Sequence, residues 1–247
     1  LVLKQAEIAP LASLLMAELA LEAGVPPGVF NVVTGLGEVA GAALASHEDV
    51  NKIAFTGSTE VGKIIVRAAI GNLKKVSVVA VSLKKQATAI PGVAMSTFLL
   101  QGQNCVCGSR VFVHRDIADE FAAGVAAFAK QLPVGNGMDR GNMIGPVISG
   151  EQRGRIEGFF VSAQKEGAKL LAGGERAGKQ GYFVAPTVYS DCRPEMRVVR
   201  EEVFGPVMSI QTFEGDDLEA LAKRANDTTY GLSGSVWTRD LATAHRM

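Results

Sequence analysis

Four short apolar runs recur along the first third of the chain: Leu1–Leu3, Val29–Val33, Lys52–Thr56 and Val76–Val81. Their starts lie ~25 residues apart, the spacing of strands that alternate with helices. The intervening segments carry apolar residues at helical spacing: Leu11, Leu14, Leu15, Leu19 and Ala20, then Val39–Ala45, then Val61, Ile64, Ile65 and Ala68. Repeated βα units of this kind fold as a buried parallel sheet covered by helices. Pro10 suits the first turn of the first helix. Gly24 suits the position just past its end, and Pro26-Pro27 forbid its continuation. The pattern predicts an α/β fold.

The rhythm breaks between Val78 and Val93, where periodicity is weak and turn chemistry is absent. This stretch reads as a crossover, dividing the chain into residues 1–80 and 81–247. Beyond it the pattern predicts a helix around Met95–Leu100, a strand at Arg110–His114 and a helix from about Asp119 to Gln131. A long helix over Glu151–Glu166 ends at Gly167, and glycine turns flank a strand near Tyr182–Tyr189. Leu1 already reads as strand and Ala242–Met247 as the middle of a helix, so both ends are expected to be cut from a longer chain.

Composition excludes several functions. The 247 residues carry 25 Lys+Arg against 25 Asp+Glu, a net charge of +0 that argues against a nucleic-acid binder. With 47% hydrophobic and 20% charged residues, the chain can bury a core. No apolar run reaches the ~18 residues of a membrane span. Three cysteines, Cys105, Cys107 and Cys192, are no disulfide framework, which points to a reducing, cytoplasmic setting. A C-x-C pair with three scattered histidines makes no zinc site, so no metal is expected.

Five segments carry candidate chemistry. Cys105 follows a Gly-Gln-Asn turn and precedes a strand, where backbone N–H groups favour a thiolate and can hold an oxyanion. It also reads as a small buried hydrophobe, the usual fate of a free cysteine. Phe55-Thr-Gly57-Ser58 lies between a strand and a helix, an anion site or a plain N-cap. It is similar to a P-loop, yet Ile64 follows Lys63 where Ser or Thr is needed, which disfavours ATP hydrolysis. Thr34-Gly35-Leu-Gly37 opens a second glycine-rich turn, one residue off the dinucleotide fingerprint. Lys4 and Glu7 flank the first strand's exit, where they are either ribose-binding groups or surface charges. Glu201-Glu202-Val-Phe204-Gly-Pro206 sets two carboxylates before an apolar turn. His47, His114 and His245 lack catalytic partners at recognisable spacing.

Taken in order, these segments resemble the NAD(P)-dependent aldehyde dehydrogenase superfamily. Lys4-Gln-Ala-Glu7, Phe55-Thr-Gly-Ser58, Gln101-Gly-Gln-Asn-Cys105 and Glu201-Glu202-Val-Phe204-Gly-Pro206 all match in order and approximate spacing. Pro26-Pro27-Gly28-Val-Phe-Asn31, Gly181-Tyr-Phe183 and Ala225-Asn226-Asp227 match as well, so the likeness covers nearly the whole chain. The wording around Cys105 is most similar to phenylacetaldehyde dehydrogenases. The resemblance implies part of a Rossmann-like NAD-binding domain, then part of an α/β catalytic domain. Cys105 would attack an aldehyde as thiolate, and its amide would help hold the oxyanion. Lys4 and Glu7 would hold the adenosine ribose, Gly35, Gly57 and Ser58 the cofactor's phosphate region, and Glu202 with Phe204 the nicotinamide ribose. Glu7 favours NAD over NADP by repelling a 2′-phosphate. Cys107 would be a neighbour and not a second nucleophile. A small aldehyde, a homo-oligomer (dimer or tetramer) and a cytoplasmic location follow from the same likeness, with Phe98 and Leu99 as an apolar entrance.

Departures stand beside the matches. Gln5 replaces the family's Pro. The Glu-Leu-Gly-Gly motif that carries the family's deacylating base is missing: after Lys74-Lys75-Val76-Ser77 the chain reads Val-Val-Ala-Val-Ser, and the run to Cys105 is short. The family's oxyanion-binding Asn would lie upstream of Lys4, and its last pocket segments beyond Met247. Three readings remain open: a partial record of an active enzyme, an inactive homologue with a binding role, and a relative that passes its acyl group to coenzyme A.

Overall fold

The computed structural model describes residues 1–47, 49–50, 53–57, 60–61, 64–65, 80–81, 89–215, 217–230 and 232–247. The chain divides into two compact units, Leu1–Lys74 and Lys75–Met247.

In the first unit, β1 (Val2–Lys4) and β2 (Asn31–Val33) pair in parallel, with Val2 opposite Asn31 and Lys4 opposite Val33. Asn31 ties the chain before β2 to the start of β1, because its Nδ2 donates to Gly28 O at 2.8 Å and Leu1 O at 3.2 Å. Between the strands runs α1 (Leu11–Glu22), entered through Pro10 and left through Ala23, with Gly24 at φ 87° just beyond. After β2, a single π-helical turn at Gly37–Gly41 leads into α2 (Ala42–Ser46). The helix expected over Val39–Ala45 therefore starts as a wider coil.

The strand expected over Lys52–Thr56 does not form at Ile53–Thr56, where the backbone is irregular and Ala54, Phe55 and Thr56 are exposed. A local apolar bias suggests a strand, but only a hydrogen-bonding neighbour makes one. The described sheet of this unit holds only β1 and β2. Residues 51, 52 and 58 lie outside the described residues, as do 76–79 of the fourth expected strand. Val61, Ile64 and Ile65 have helical backbone, and Ala68 lies outside the described residues.

The second unit is built on one sheet of β3 (Ala80–Val81), β4 (Arg110–His114), β5 (Lys169–Ala172), β6 (Thr187–Ser190), β7 (Val207–Phe213) and β8 (Val236–Trp237). Their order is β5-β6-β7-β4-β3-β8, parallel throughout except for β5 against β6. The β4–β7 ladder pairs Arg110 with Ser209 through His114 with Phe213. Alternation along it sorts the two faces. Val111, Val113, Met208 and Ile210 join one core with Val93 and Phe98 of α3 (Ala89–Phe98) and Phe121 and Val125 of α4 (Arg115–Gln131). Phe112 and Phe213 join another with Leu221 and Ala225 of α7 (Leu218–Asn226). A third cluster packs Ile156 and Phe159 of α5 (Gly150–Lys165) against Val198 and Val199 of α6 (Arg197–Arg200) and Tyr189. The last helix, α8, spans Leu241–Arg246.

Differences from the expected elements have local causes. Helix α3 begins at Ala89 and not near Met95, absorbing the Pro91-Gly92 pair that reads as a break. Pro91 lies in the first turn, where no N–H is needed. Gly92 lies beneath Trp237, whose indole a Cβ there would overlap. Helix α4 starts four residues before Asp119 because the His114 side chain caps it, accepting from Asp116 N at 3.3 Å. The strand near Tyr182–Tyr189 shrinks to Thr187–Ser190, leaving Val184 one bridge to Arg176.

Phe121 is fully buried in the largest cluster. Phe121→Ala is expected to lower unfolding free energy by ~3–5 kcal/mol. Val161→Ala, on the exposed face of α5, should stay within ~0.5 kcal/mol. Urea denaturation of the two variants checks the contrast.

Candidate active site

In the first unit, the carboxyl ends of β1 and β2 adjoin. Lys4 Nζ lies 3.0 Å from Glu7 Oε2. Glu7's carboxyl is held below its ordinary range, chiefly by its own backbone N–H and then by Lys4. Lys4 Nζ also lies 4.0 Å from the position a Cβ on Gly37 would take, which sets the ammonium beside the second glycine-rich turn. Gly35 stands at φ 138°, where a Cβ would sit 3.1 Å from Ala40 Cβ. The turn is thus tight because Gly35 has no side chain. Lys4, Glu7 and Gly35 come together at one sheet edge, the usual ligand side of a parallel sheet. Gly57 is exposed, and among the described residues no hydrogen bond or ion pair joins it to Lys4 or Glu7. Ser58 lies outside the described residues.

In the second unit, α3 hands over to a 3-10 turn at Leu99–Gly102. Leu100, Gln101 and Gly102 take φ of 55°, 58° and 63°, three successive left-handed residues that reverse the chain. The end of α3 then holds the cysteine loop. Thr97 Oγ1 donates to Gly108 O at 2.8 Å, Gly108 N to Ser96 O at 3.1 Å, and Cys107 Sγ to Thr97 O at 3.3 Å. Phe98 is fully buried in the core and lines no entrance, because it belongs to the inner face of α3. Leu99 and Leu100 are the exposed apolar pair beside the loop.

Within this loop Cys105 is exposed, which removes the buried-hydrophobe alternative. Asn104 Oδ1 accepts from Val106 N at 3.2 Å and faces Cys105 Sγ at 3.8 Å. The Cys105 N–H donates to nothing among the described residues, so it is open to a negative oxygen. Cys107 differs. Burial, and then the charge of Glu202, push its thiol up to about 12. Cys192, buried just after β6, is likewise pushed up to about 12, mainly by burial.

Glu202 and Phe204 sit in a turn that meets the cysteine loop backbone to backbone: a Cβ on Gly102 would overlap the Gly205 carbonyl. Phe204 stands at φ 53°. Glu202 keeps an exposed surface, yet the protein around its carboxyl raises its pKa by desolvation, with Arg155 opposing. The loop that carries Cys105 and the turn that carries Glu202 and Phe204 therefore pack together within one unit, although about a hundred residues separate them. Two residues that sequence reasoning passed over hold this turn. Gln152 Nε2 donates to Val203 O at 3.1 Å and Phe204 O at 2.8 Å, and Arg155 Nη2 to Glu202 O at 2.8 Å. Their only signal is a three-residue spacing at the start of a helix, shared by countless surface residues.

Among the described residues, no three His, Cys, Asp or Glu side chains group as a metal site, and no helix is long and apolar enough to cross a membrane.

Comparison with known proteins names the family. The aldehyde dehydrogenase family matches over residues 1–247, and the chain belongs to that family. It is 46% identical to the mitochondrial aldehyde dehydrogenase of Mesocricetus auratus, over 99% of this chain and 50% of that protein. To cytosolic aldehyde dehydrogenase 1 of Rattus norvegicus it is 45% identical, over 98% and 50%. The NAD+ complex of the Bacillus cereus aldehyde dehydrogenase superposes with a TM-score of 0.91 at 40% identity, over 99% of this chain and 51% of that one. The chain spans about half the length of the relatives it matches, and its fold is the α/β fold of aldehyde dehydrogenases.

Two outcomes follow from the loop. At about pH 8, iodoacetamide should alkylate Cys105 first, because thiols held near 12 stay protonated and unreactive. Peptide mass spectrometry should find Cys107 and Cys192 labelled only after denaturation. Gly102→Ala should destabilise the protein by ~2 kcal/mol or more through the clash with Gly205, read as a lower urea midpoint.

Proposed function

We propose that the protein is an NAD-dependent aldehyde dehydrogenase that oxidises an aldehyde to a carboxylic acid through a covalent intermediate on Cys105. The observation that carries this reading is the exposed Cys105 thiol, with its free N–H, in a loop packed on the turn of Glu202 and Phe204. Family membership and the resemblance of the motifs support it.

The residues fit the cofactor. Lys4 and Glu7 offer a cation and a carboxylate for ribose hydroxyls beside the open Gly35–Gly37 turn. A carboxylate held ionised at Glu7 favours NAD, which lacks the 2′-phosphate of NADP. Gly57 and Ser58 would serve the phosphates, and Glu202 and Phe204 the nicotinamide ribose. When bound, NAD supplies the acceptor for the hydride that turns a thiohemiacetal into a thioester.

Cys105 carries the covalent steps. The Cys105 thiolate attacks the carbonyl carbon, a C–S bond forms and the carbonyl electron pair moves to oxygen. The Cys105 N–H then donates to that oxyanion. Water attack on the thioester forms a C–O bond and breaks the C–S bond, releasing the carboxylate and the Cys105 thiolate while the two protons of the water pass to solvent. Cys107, protonated and bonded to Thr97 O, stays out of the reaction.

The finer reading is an aromatic aldehyde of the phenylacetaldehyde kind, supported by the exposed Leu99 and Leu100 beside the loop. It also includes residues 1–80 as part of the cofactor domain, 81–247 as part of the catalytic domain, a homo-oligomer, and a cytoplasmic setting.

In the complete protein, Cys105→Ala should lower aldehyde-dependent NADH formation at least ~10³-fold while NAD affinity holds within about threefold. Cys107→Ala should keep most activity. Turnover retained by Cys105→Ala refutes the mechanism. A wild-type protein that binds NAD but oxidises no aldehyde would be the inactive homologue. Product analysis with coenzyme A present separates acid release from acyl transfer.

A further inference from the structure

Asn104 precedes the nucleophile and faces its loop with two oxygens. Its main-chain O accepts from Cys107 N at 2.9 Å, which closes a turn over residues 104–107. Its Oδ1 accepts from Val106 N at 3.2 Å, an Asx turn nested inside the first. The same Oδ1 lies 3.8 Å from Cys105 Sγ, within weak reach of a thiol proton. Cys105 and Val106 are exposed, so no core packing fixes them. The Asn104 side chain supplies locally what burial supplies elsewhere.

Cys105 is the middle residue of that Asx turn. Its φ sets the direction of its N–H relative to its Cα–Cβ bond, and χ1 then aims the sulfur. In the proposed reaction these two groups act on one carbonyl, the sulfur on carbon and the N–H on oxygen. Their mutual angle therefore decides whether both can act at once. The turns also sort the donors of the loop. Of the four N–H groups from Cys105 to Gly108, that of Val106 goes to Asn104 Oδ1, that of Cys107 to Asn104 O, and that of Gly108 to Ser96 O at 3.1 Å. Among the described residues, only the Cys105 N–H of these four is left open. A side chain without an acceptor at 104 would release the Val106 N–H, and with it the constraint on φ of Cys105.

We infer that Asn104 is a positioning residue: by accepting from Val106 N, its carboxamide fixes the backbone of Cys105 so that the thiol and the adjacent N–H converge on one carbonyl group. The inference rests on the proposed reaction, in which Cys105 forms the covalent intermediate. Misplacement of a reacting group by ~1 Å can lower a rate ~10²-fold. The bond to Val106 N persists whether the sulfur is protonated or not, so it acts on the nucleophile as well as on the resting thiol.

The test uses the complete protein and three variants. Asn104→Leu keeps the bulk without an acceptor, Asn104→Ala removes both, and Asn104→Asp keeps the acceptor and adds a charge. The first readout needs neither cofactor nor turnover: short-time hydrogen exchange at the Val106 amide should quicken about fivefold or more in the Leu and Ala variants and keep its wild-type rate in Asn104→Asp. The second readout separates the sulfur from its orientation. Iodoacetamide needs only the thiolate, so it should alkylate Cys105 within about threefold of the wild-type rate in the Leu and Ala variants. Their kcat/KM for aldehyde at saturating NAD should fall about tenfold or more, with KM for NAD within about twofold of wild type. In Asn104→Asp the carboxylate beside the sulfur opposes a thiolate, so alkylation and turnover should fall together near pH 7 and return toward wild type as pH rises to about 9.5. The deficit of Asn104→Leu should not close with pH.

Unchanged kcat/KM in the Leu and Ala variants overturns the inference. Alkylation and turnover that fall in parallel in these two variants also overturn it, because that outcome is a loss of thiol reactivity and not of orientation. An Asn104→Asp variant that matches Asn104→Leu at every pH overturns it as well, since the acceptor then has no part. A wild-type protein without aldehyde oxidation removes the functional reading, while unchanged exchange at Val106 in the Leu and Ala variants overturns the positioning bond by itself.

Discussion

The placement of the Cys105 loop depends on two backbones lying against each other at Gly102 and Gly205. Neither position has room for a Cβ: at Gly102 it would overlap the Gly205 carbonyl, and at Gly205 it would press on Ile156. Close approach of this kind is what glycine permits and every other residue prevents. The contact carries the cysteine loop onto the Glu202–Phe204 turn, and the other features follow from it. The chain must reverse through three left-handed residues to present Gly102. Thr97 and Ser96 must hold the returning strand, and α5 must supply donors for carbonyls that the turn leaves unpaired. Interactions individually worth ~1 kcal/mol converge on one thiol.

That convergence explains why three cysteines of one chain differ. Cys105 projects from the loop into solvent. Cys107, two residues on, turns inward to the carbonyl of Thr97 and lies beside Glu202, so burial and a carboxylate both oppose its ionisation. Cys192, just after β6, is buried and its thiol is pushed up as well. A C-x-C pair looks symmetrical as a sequence, yet the loop gives its members opposite environments.

The fold class was legible because βα alternation depends on periodicity, and periodicity survives in a single sequence. Arg110–His114 read correctly as strand for that reason, and Gly150–Lys165 as helix within a residue at each end. The errors fell where a distant partner decides. Ile53–Thr56 has strand-like residues without a ladder, and Ala89–Phe98 keeps a Pro-Gly pair because Trp237 fills the space above Gly92. Phe98 was placed near the entrance by sequence proximity to Cys105, but helix phase turns it into the core. The site was legible as separate motifs and illegible as a set. Nothing local announces that Gln152 will donate to the carbonyls of residues 203 and 204, since a side chain that binds backbone carries no compositional signature.

The Lys4–Glu7 pair has a consequence of another kind. Its two charges lie 3.0 Å apart and sum to nothing, in a chain whose 25 basic and 25 acidic residues also cancel. Such a pair has directional hydrogen-bonding capacity but almost no field beyond a few ångströms, and the chain carries no net charge to add to it. A ligand recognised there is recognised on contact, by hydroxyl geometry, and is not drawn in from a distance. Its capture at that edge of the sheet should therefore depend little on ionic strength, unlike recognition built on a basic patch.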